Sequence, residues 1–168
     1  MGAIDQVPFR YAALLFGGDR FESRGKLMTL IADHDLIILD RYVSSNIAYN
    51  AAKLSGVARA ELIAWIEQLE FGLFDLPRPD LTLLLATSTQ LADRLVGEKD
   101  ARSSTEQTRD MHEADRDYLT IVTEVYGDLA RSGGQAWLTV DPLDDNGKLR
   151  PPSDIAAAIW ADARFSEL

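Results

Sequence analysis

Short runs of apolar residues alternate along the chain with longer segments in which apolar residues recur at helical spacing. The first run reads Leu36-Ile37-Ile38-Leu39. Nearly continuous runs of this kind are typical of strands in a parallel sheet that is covered on both faces. Three strands are therefore predicted, over residues 36–39, 81–86 and 136–140.

The segments between these runs carry apolar residues on one helical face. In one of them, Leu62, Trp65, Ile66 and Leu69 fall at spacings of three and four residues. Helices are predicted over about residues 11–31, 62–69, 88–95, 118–129 and after Pro151-Pro152. Strands that alternate with helices predict an α/β domain, here a three-layer arrangement with helices on both faces of a parallel sheet. Residues 1–168 are expected to form one such domain.

The number of predicted strands is low for a fold of this class. Sheets of this kind have about five or six strands, whereas this chain opens with a helical segment and only three strands follow. A strand within the first residues is one explanation. We instead expect that the chain is N-terminally incomplete and lacks the first strands of its domain.

The amino-acid composition excludes several classes of protein function. The chain has 17 Lys and Arg against 27 Asp and Glu, a net charge of −10, and no cysteine. An acidic balance argues against a broad duplex-binding surface, so no nucleic-acid partner is expected. The lack of cysteine excludes disulfides, thiolate nucleophiles and cysteine zinc sites. No run is long and apolar enough to span a bilayer, and residues 1–8 do not resemble a signal peptide, so a soluble, cytoplasmic protein without a membrane partner is expected.

The first predicted strand leads into Asp40-Arg41-Tyr42. Ligands of open parallel sheets bind beyond the carboxyl ends of the strands, so this position is a candidate site. An aspartate there suits a hydrated metal ion, and the fork of an arginine matches phosphate oxygens. The dipeptide alone favours the plainer alternative, an ordinary surface pair in the turn between a strand and a helix.

The surrounding sequence resembles the thymidylate kinase family. The resemblance extends from about Tyr11 to Ala130, and several motifs in consistent order make it more specific than any single motif. Those motifs are Leu15-Phe16-Gly17-Gly18-Asp19-Arg20, the signature Asp40-Arg41-Tyr42-Val43-Ser44-Ser45-Asn46-Ile47-Ala48-Tyr49, Glu70 followed by Leu76-Pro77-Arg78-Pro79-Asp80-Leu81-Thr82, and Arg109-Asp110-Met111-His112-Glu113. The resemblance implies a P-loop NTPase-like fold.

The resemblance also implies which residues read the base of the nucleotide dTMP. Phe16 would stack on the thymine ring, and Arg20, on the same helix face, would donate to a base carbonyl. Asn46, next to Ser45 in the signature, would hydrogen-bond the base, because an amide offers both a donor and an acceptor. The plainer alternatives are a core position for Phe16 and a solvated or ion-paired side chain for Arg20.

The phosphate and the sugar of dTMP would be bound by other signature residues. Arg41 would hold the monophosphate, and Asp40 would orient Mg²⁺, through water. Tyr49 would pack under the deoxyribose and crowd a 2′-hydroxyl, which favours deoxynucleotides. An ordinary aromatic residue at a helix start is the alternative for Tyr49.

A basic segment over about residues 93–113 is a candidate lid. Its cations would neutralise ATP phosphates, with Arg102 and Arg109 as the main contacts. The set of lid cations is Arg94, Lys99, Arg102 and Arg109. Asp110 and Glu113 match positions that the family uses for lid closure or for indirect metal contacts. Interleaved acidic residues make a solvated segment of mixed charge the alternative.

The phosphate loop of such kinases is missing from the sequence, since no Gly-x-x-x-x-Gly-Lys-Ser/Thr motif occurs. The predicted reaction is phosphoryl transfer from Mg²⁺-ATP to dTMP, giving dTDP for dTTP biosynthesis. We expect that an upstream region encodes the loop and that the 168-residue chain alone is inactive. The alternatives are a non-catalytic remnant that binds nucleotides or dimerises, and a deoxynucleoside kinase. A homodimer is expected, as is common in the family.

Overall fold

The computed structural model describes residues 8–87 and 106–163, with side chains from residue 116 onward in the second range. The chain divides into two compact units, Met1–Arg78 and Pro79–Leu168. Among the described helices, none combines the length and the apolar character that a bilayer crossing requires.

The first unit is helical. It contains α1 (Phe9–Asp33), α2 (Val43–Ala51) and α3 (Gly56–Glu67). Its core is formed where α2 packs against both other helices. The fully or almost fully buried core residues are Ala13, Val43, Ile47, Ala48, Ala51, Leu62 and Ile66. Several of them are alanines, and such small side chains let the helices approach closely and still fill the interior.

The helix α3 continues into a π-helical segment, Gln68–Leu73. There the backbone N–H of Phe74 donates to the carbonyl of Leu69, five residues earlier, at 2.9 Å. The wider turn shifts the phase of the helix, so the consecutive residues Leu69 and Glu70 are both buried. Leu73, which would follow Leu69 on the same face of a regular helix, is 71% exposed.

The predicted strand at residues 36–39 is wrong for the described structure. The segment between α1 and α2 is irregular, and Ile38 is 79% exposed. A strand is defined by ladder hydrogen bonds to a neighbour, and the described residues supply no strand that pairs with this segment. The predicted helix over residues 11–31 is confirmed by α1.

The second unit contains a parallel pair of strands, β1 (Thr82–Leu85) and β2 (Trp137–Val140). Thr82 lies opposite Trp137, and Leu85 opposite Val140. These elements confirm the two later predicted strands and the α/β class. Three layers are not formed by the described residues, in which the sheet has two strands.

Two helices accompany this sheet. The long helix α4 (Glu106–Gly133) confirms the prediction over residues 118–129 and buries Val122 and Val125. The helix begins earlier than predicted. Its first part is polar and has no apolar stripe, so the sequence pattern did not reveal it. Because extending an existing helix costs little free energy, these polar residues can still be helical. The last helix, α5 (Pro152–Trp160), confirms the helix predicted after Pro151-Pro152, but it begins one residue earlier, with Pro152 inside its first turn. The predicted helix over residues 88–95 lies outside the described residues.

Candidate functional site

Five of the residues predicted to bind dTMP lie on two packed helices of the first unit. Phe16 and Arg20 belong to α1, and Ser45, Asn46 and Tyr49 belong to α2, which packs against it. Phe16 is 59% exposed, so it is not an ordinary core residue. An exposed aromatic ring beside an arginine on one helix face is a surface that a planar base would fit.

Arg20 is held by a buried carboxylate on the π-helical segment. Its Nε donates to Oε2 of Glu70 and its Nη2 donates to Oε1, both at 2.5 Å. The Glu70 side chain is 0% exposed and that of Arg20 is 18% exposed. The arrangement is a bidentate, charge-assisted pair, which is how proteins accommodate a buried carboxylate. Arg20 is therefore ion-paired in the structure, as one of the alternatives from the sequence proposed.

Asn46 joins the same carboxylate. Its Nδ2 donates to Oε1 of Glu70 at 2.7 Å and to the Ala13 carbonyl at 2.9 Å. Its Oδ1 accepts from Nδ2 of Asn50 at 2.9 Å. Because both acceptors face the nitrogen, these bonds define the orientation of the amide. The structure thus brings Arg20 and Asn46 together through Glu70, while a direct bond from Asn46 to a base stays a prediction.

Arg41 lies in the loop before α2 and contacts Tyr49 on that helix. Its Nη2 donates to the Tyr49 hydroxyl at 3.0 Å, and its guanidinium carbon is 5.1 Å from the centroid of the ring. Arg41 has a φ of 64°, in the left-handed region that side chains other than glycine seldom adopt. Strained residues of this kind cluster at functional sites. The predicted phosphate and sugar residues are therefore in contact.

Asp40 and Ser45 flank Arg41 and Asn46 along the chain. Asp40 is exposed in the loop, and Ser45 is half-buried in the first turn of α2, where its N–H donates to the Tyr42 carbonyl at 3.0 Å. No group of three or more metal-ligating side chains occurs among the described residues. One exposed carboxylate beside an arginine that is predicted to bind phosphate still suits Mg²⁺, which keeps most of its waters and takes its other ligands from nucleotide phosphates.

Tyr42 lies on the inner side of the same loop. Its hydroxyl donates to the Pro77 carbonyl at 3.1 Å. Burial, with a smaller contribution from the negative charge of Glu70, raises the pKa of the Tyr42 phenol above its ordinary value of 10.0, and the positive charge of Arg20 opposes the shift. The phenol is therefore neutral at physiological pH and serves as a hydrogen-bond donor that ties this loop to the end of the unit.

Further contacts fasten α1 to the π-helical segment. The rings of Phe21 and Phe74 are 5.0 Å apart, and Arg24 forms an ion pair with Asp75. A Cβ at Gly17 would lie 3.2 Å from Cε2 of Phe74, so a side chain there would require the Phe74 ring to move by a few tenths of an ångström. These contacts fix α1, the helix that carries Phe16 and Arg20, against the end of the π-helical segment.

The site predicted from the sequence did not include Glu70 or Asn50. Glu70 appears in the resemblance only as part of a motif, without a role. Its acidic side chain directly follows the apolar stripe that ends at Leu69, but this position alone does not indicate burial. Asn50 gave a weaker signal, one turn after Asn46 on the predicted signature segment.

The predicted lid lies in the second unit and is only partly described. Arg94, Lys99 and Arg102 lie outside the described residues. The other three, Arg109, Asp110 and Glu113, lie on the first turns of α4, so this part of the predicted lid is helical. Their roles stay predictions.

Comparisons with known proteins show which family this chain resembles. The sequence model of the family "Thymidylate kinase" matches residues 5–145. A Mycobacterium tuberculosis protein named "Thymidylate kinase" is 39% identical over 139 residues, which are 82% of this chain and 64% of that protein. A Pyrobaculum aerophilum protein named "Probable thymidylate kinase" is 28% identical over 148 residues, 88% of this chain and 64% of that protein.

A shorter match extends the similarity to a eukaryotic protein. The Dictyostelium discoideum "Thymidylate kinase" is 36% identical over 81 residues, which are 48% of this chain and 32% of that protein. The chain therefore spans less than two thirds of the length of these relatives. Because the family model covers most of the sequence and the described site carries its signature residues, the chain belongs to the thymidylate kinase family.

Proposed function

We propose that this chain binds dTMP in its first unit and serves the transfer of a phosphoryl group from ATP to dTMP. The observation that carries the proposal is the arrangement around α2. Arg41 precedes this helix and contacts Tyr49, which lies on it. Asn46, also on α2, and Arg20 on α1 both hydrogen-bond to Glu70, which links the two helices. Candidate residues for the base, the sugar and the phosphate thus belong to one helical unit.

The base would be read by Phe16 and Arg20. Pairing with Glu70 uses Nε and Nη2 of Arg20, and no other acceptor among the described residues binds its Nη1. The Nη1 end of the guanidinium therefore has donors for a thymine carbonyl, which is an acceptor. The exposed ring of Phe16, one turn earlier, supplies a face on which the base stacks.

The phosphate would be bound by Arg41. Only Nη2 of its guanidinium donates to Tyr49, so Nε and Nη1 supply further donors to phosphate oxygens. Arg41 also lies two residues before α2 begins at Val43, and a helix N-terminus favours an anion. Tyr49, held against Arg41, would border the deoxyribose and exclude a 2′-hydroxyl.

The transfer step would proceed through positioning and neutralisation of charge. A phosphate oxygen of dTMP attacks the γ-phosphorus of ATP, the bond to the bridging oxygen breaks, and ADP leaves with that oxygen. Mg²⁺ would neutralise phosphate charge when bound, with Asp40 as a contact through water and Glu113 as a second candidate. Arg94, Lys99, Arg102 and Arg109 would close over the ATP phosphates as a lid over about residues 93–113, with Asp110 at its end.

The wider architecture is also part of the proposal. Membership of the thymidylate kinase family supports a three-layer P-loop NTPase-like fold. It also supports nucleotide ligands, a homodimer and a cytoplasmic location.

Calorimetric titration of the chain with dTMP, thymidine and dCMP tests this proposal. We expect dTMP to bind more tightly than thymidine, because Arg41 contacts the phosphate. Arg41→Ala should remove most of that difference, whereas Lys53→Ala, which removes an exposed cation just beyond the other end of α2, should preserve it. Equal affinity for dTMP and thymidine in the unaltered chain would contradict the proposal.

Turnover separates the alternative functions. ADP release is to be measured with dTMP, dUMP and thymidine, on the 168-residue chain and on that chain extended by any in-frame coding segment found upstream of it. Release with dTMP supports the monophosphate kinase, and release with thymidine alone supports a deoxynucleoside kinase. Binding of dTMP without release in either form supports a non-catalytic remnant.

A further inference from the structure

The carboxylate of Glu70 is 0% exposed and pairs with Arg20 and Asn46, two of the three side chains that are predicted to read the base. We propose that Glu70 is a positioning residue that sets the base specificity of the nucleotide site by fixing the guanidinium of Arg20 and the amide of Asn46. This inference rests on the proposed dTMP site. It assigns the choice between pyrimidines to a residue that does not touch the nucleotide.

The hydrogen bonds on Glu70 restrict the motion of its partners. Two parallel bonds to Nε and Nη2 fix the plane of the Arg20 guanidinium, which a single bond would leave free to rotate. The third bond comes from Nδ2 of Asn46, whose Oδ1 is in turn held by Asn50. The carboxylate and the two amides form a connected, fully bonded set with no unsatisfied side-chain atom in the described core.

The backbone is shaped around this carboxylate. The π-helical segment brings Glu70 to the interior beside Leu69, and such segments are frequent at functional sites. On the facing helix, Gly17 lies next to this side chain, because a Cβ there would be in ordinary van der Waals contact with Cγ of Glu70, at 3.5 Å. Both features place the Glu70 carboxylate against α1. An apolar residue would be sufficient at this position if it only had to fill the core.

The fixed guanidinium predicts a preference between bases. With Nε and Nη2 turned toward Glu70, Arg20 presents only N–H donors to a nucleotide. The C4 carbonyl of thymine accepts such a bond, whereas cytosine carries a C4 amino group that is itself a donor. A site built around a hydrogen bond rejects a ligand that cannot make it. Once released from Glu70, the guanidinium would turn away, and the rejection of cytosine would weaken.

The test compares Glu70→Gln with a matched control, Asp75→Asn. Both changes remove one negative charge that faces α1, but the exposed Asp75 pairs with Arg24 and not with a base-reading residue. For each protein, dissociation constants for dTMP and dCMP are measured by calorimetry. Exchange of the Arg20 Nε proton with water is followed by ¹⁵N NMR. Glu70→Asp, which keeps the charge but withdraws it by one methylene, is the second variant if Glu70→Gln does not fold.

We expect Glu70→Gln to lower the ratio of the dCMP to the dTMP dissociation constant by about tenfold or more, and to speed Arg20 proton exchange. Asp75→Asn should leave both values unchanged. An unchanged ratio in the Glu70 variants would overturn the inference. So would an Arg20 proton that, in the unaltered chain, exchanges as fast as that of Arg10, which stacks on Trp65. If the unaltered chain binds no dTMP, the proposed function itself fails.

Discussion

Removal of Arg20 is expected to destabilise the first unit far more than removal of the neighbouring Arg24. Arg20→Met keeps the length and the apolar stem of the side chain but leaves the buried carboxylate of Glu70 without its cation. Arg24→Met, one helical turn later, breaks an ion pair whose partner, Asp75, is 81% exposed. The two variants remove the same charge from the same helix and differ in the burial of the anion left behind.

The magnitudes follow from that difference. Removing one partner of a buried pair costs about 3–5 kcal/mol, because a buried charge is left uncompensated. Here the low end, about 3 kcal/mol, is expected, because Arg20 is 18% exposed and Asn46 still donates to Glu70. An exposed pair contributes about 0–1 kcal/mol, so Arg24→Met should cost no more than that. A loss of about 3 kcal/mol is large for a domain stabilised by about 5–15 kcal/mol.

Urea unfolding followed by the fluorescence of Trp65 measures both losses. Trp137 and Trp160, the other tryptophans of the sequence, are replaced by phenylalanine so that the signal reports the first unit. The double variant Arg20→Met with Glu70→Gln should lose less stability than Arg20→Met alone, because the amide leaves no buried charge unpaired. Equal losses for Arg20→Met and Arg24→Met would refute the reasoning.

Three further changes test other parts of the first unit. Gly18→Ala should raise the free energy of unfolding by about 1 kcal/mol in urea titrations, because its Cβ meets nothing within 4 Å. Gly17→Ala, facing Phe74, should give no gain, and equal gains would contradict the close packing. Arg41→Gly should be about 1 kcal/mol more stable than Arg41→Ala, because glycine adopts the positive φ of this position without strain. Calorimetry should find that both variants bind dTMP poorly. Equal stability of the two variants would show that the backbone stores no strain at Arg41. The folded chain keeps the phenol of Tyr42 protonated above its ordinary pKa of 10.0, so the free energy of unfolding should fall as pH rises above that value. Denaturant titrations across this range should show a smaller fall for Tyr42→Phe, and identical slopes would contradict it.

Much of the secondary structure was predictable because its signal is local. The apolar stripes of α3 and α4 determine which face is buried, whatever the rest of the chain does. The failed strand at residues 36–39 shows the limit of this approach, since a run of apolar residues does not specify a hydrogen-bonding neighbour. The π-helical segment was missed because a fixed helical period cannot represent an inserted residue.

The site was predictable where its residues are adjacent in sequence. The signature motif placed Arg41, Asn46 and Tyr49 together, and the structure puts Arg41 in contact with Tyr49. The pairing of Arg20 with Glu70 joins residues 50 positions apart, and nothing in either local sequence specifies it. An acidic side chain beside an apolar stripe is ordinarily exposed, so burial at Glu70 becomes visible only with the fold.

Nuclear Overhauser contacts from bound dTMP test the central claim most directly. With the chain saturated by dTMP, the account predicts contacts from the thymine methyl and H6 protons to the ring of Phe16. Saturation that gives contacts only to residues away from Phe16 would contradict the account, as would the failure of dTMP to bind.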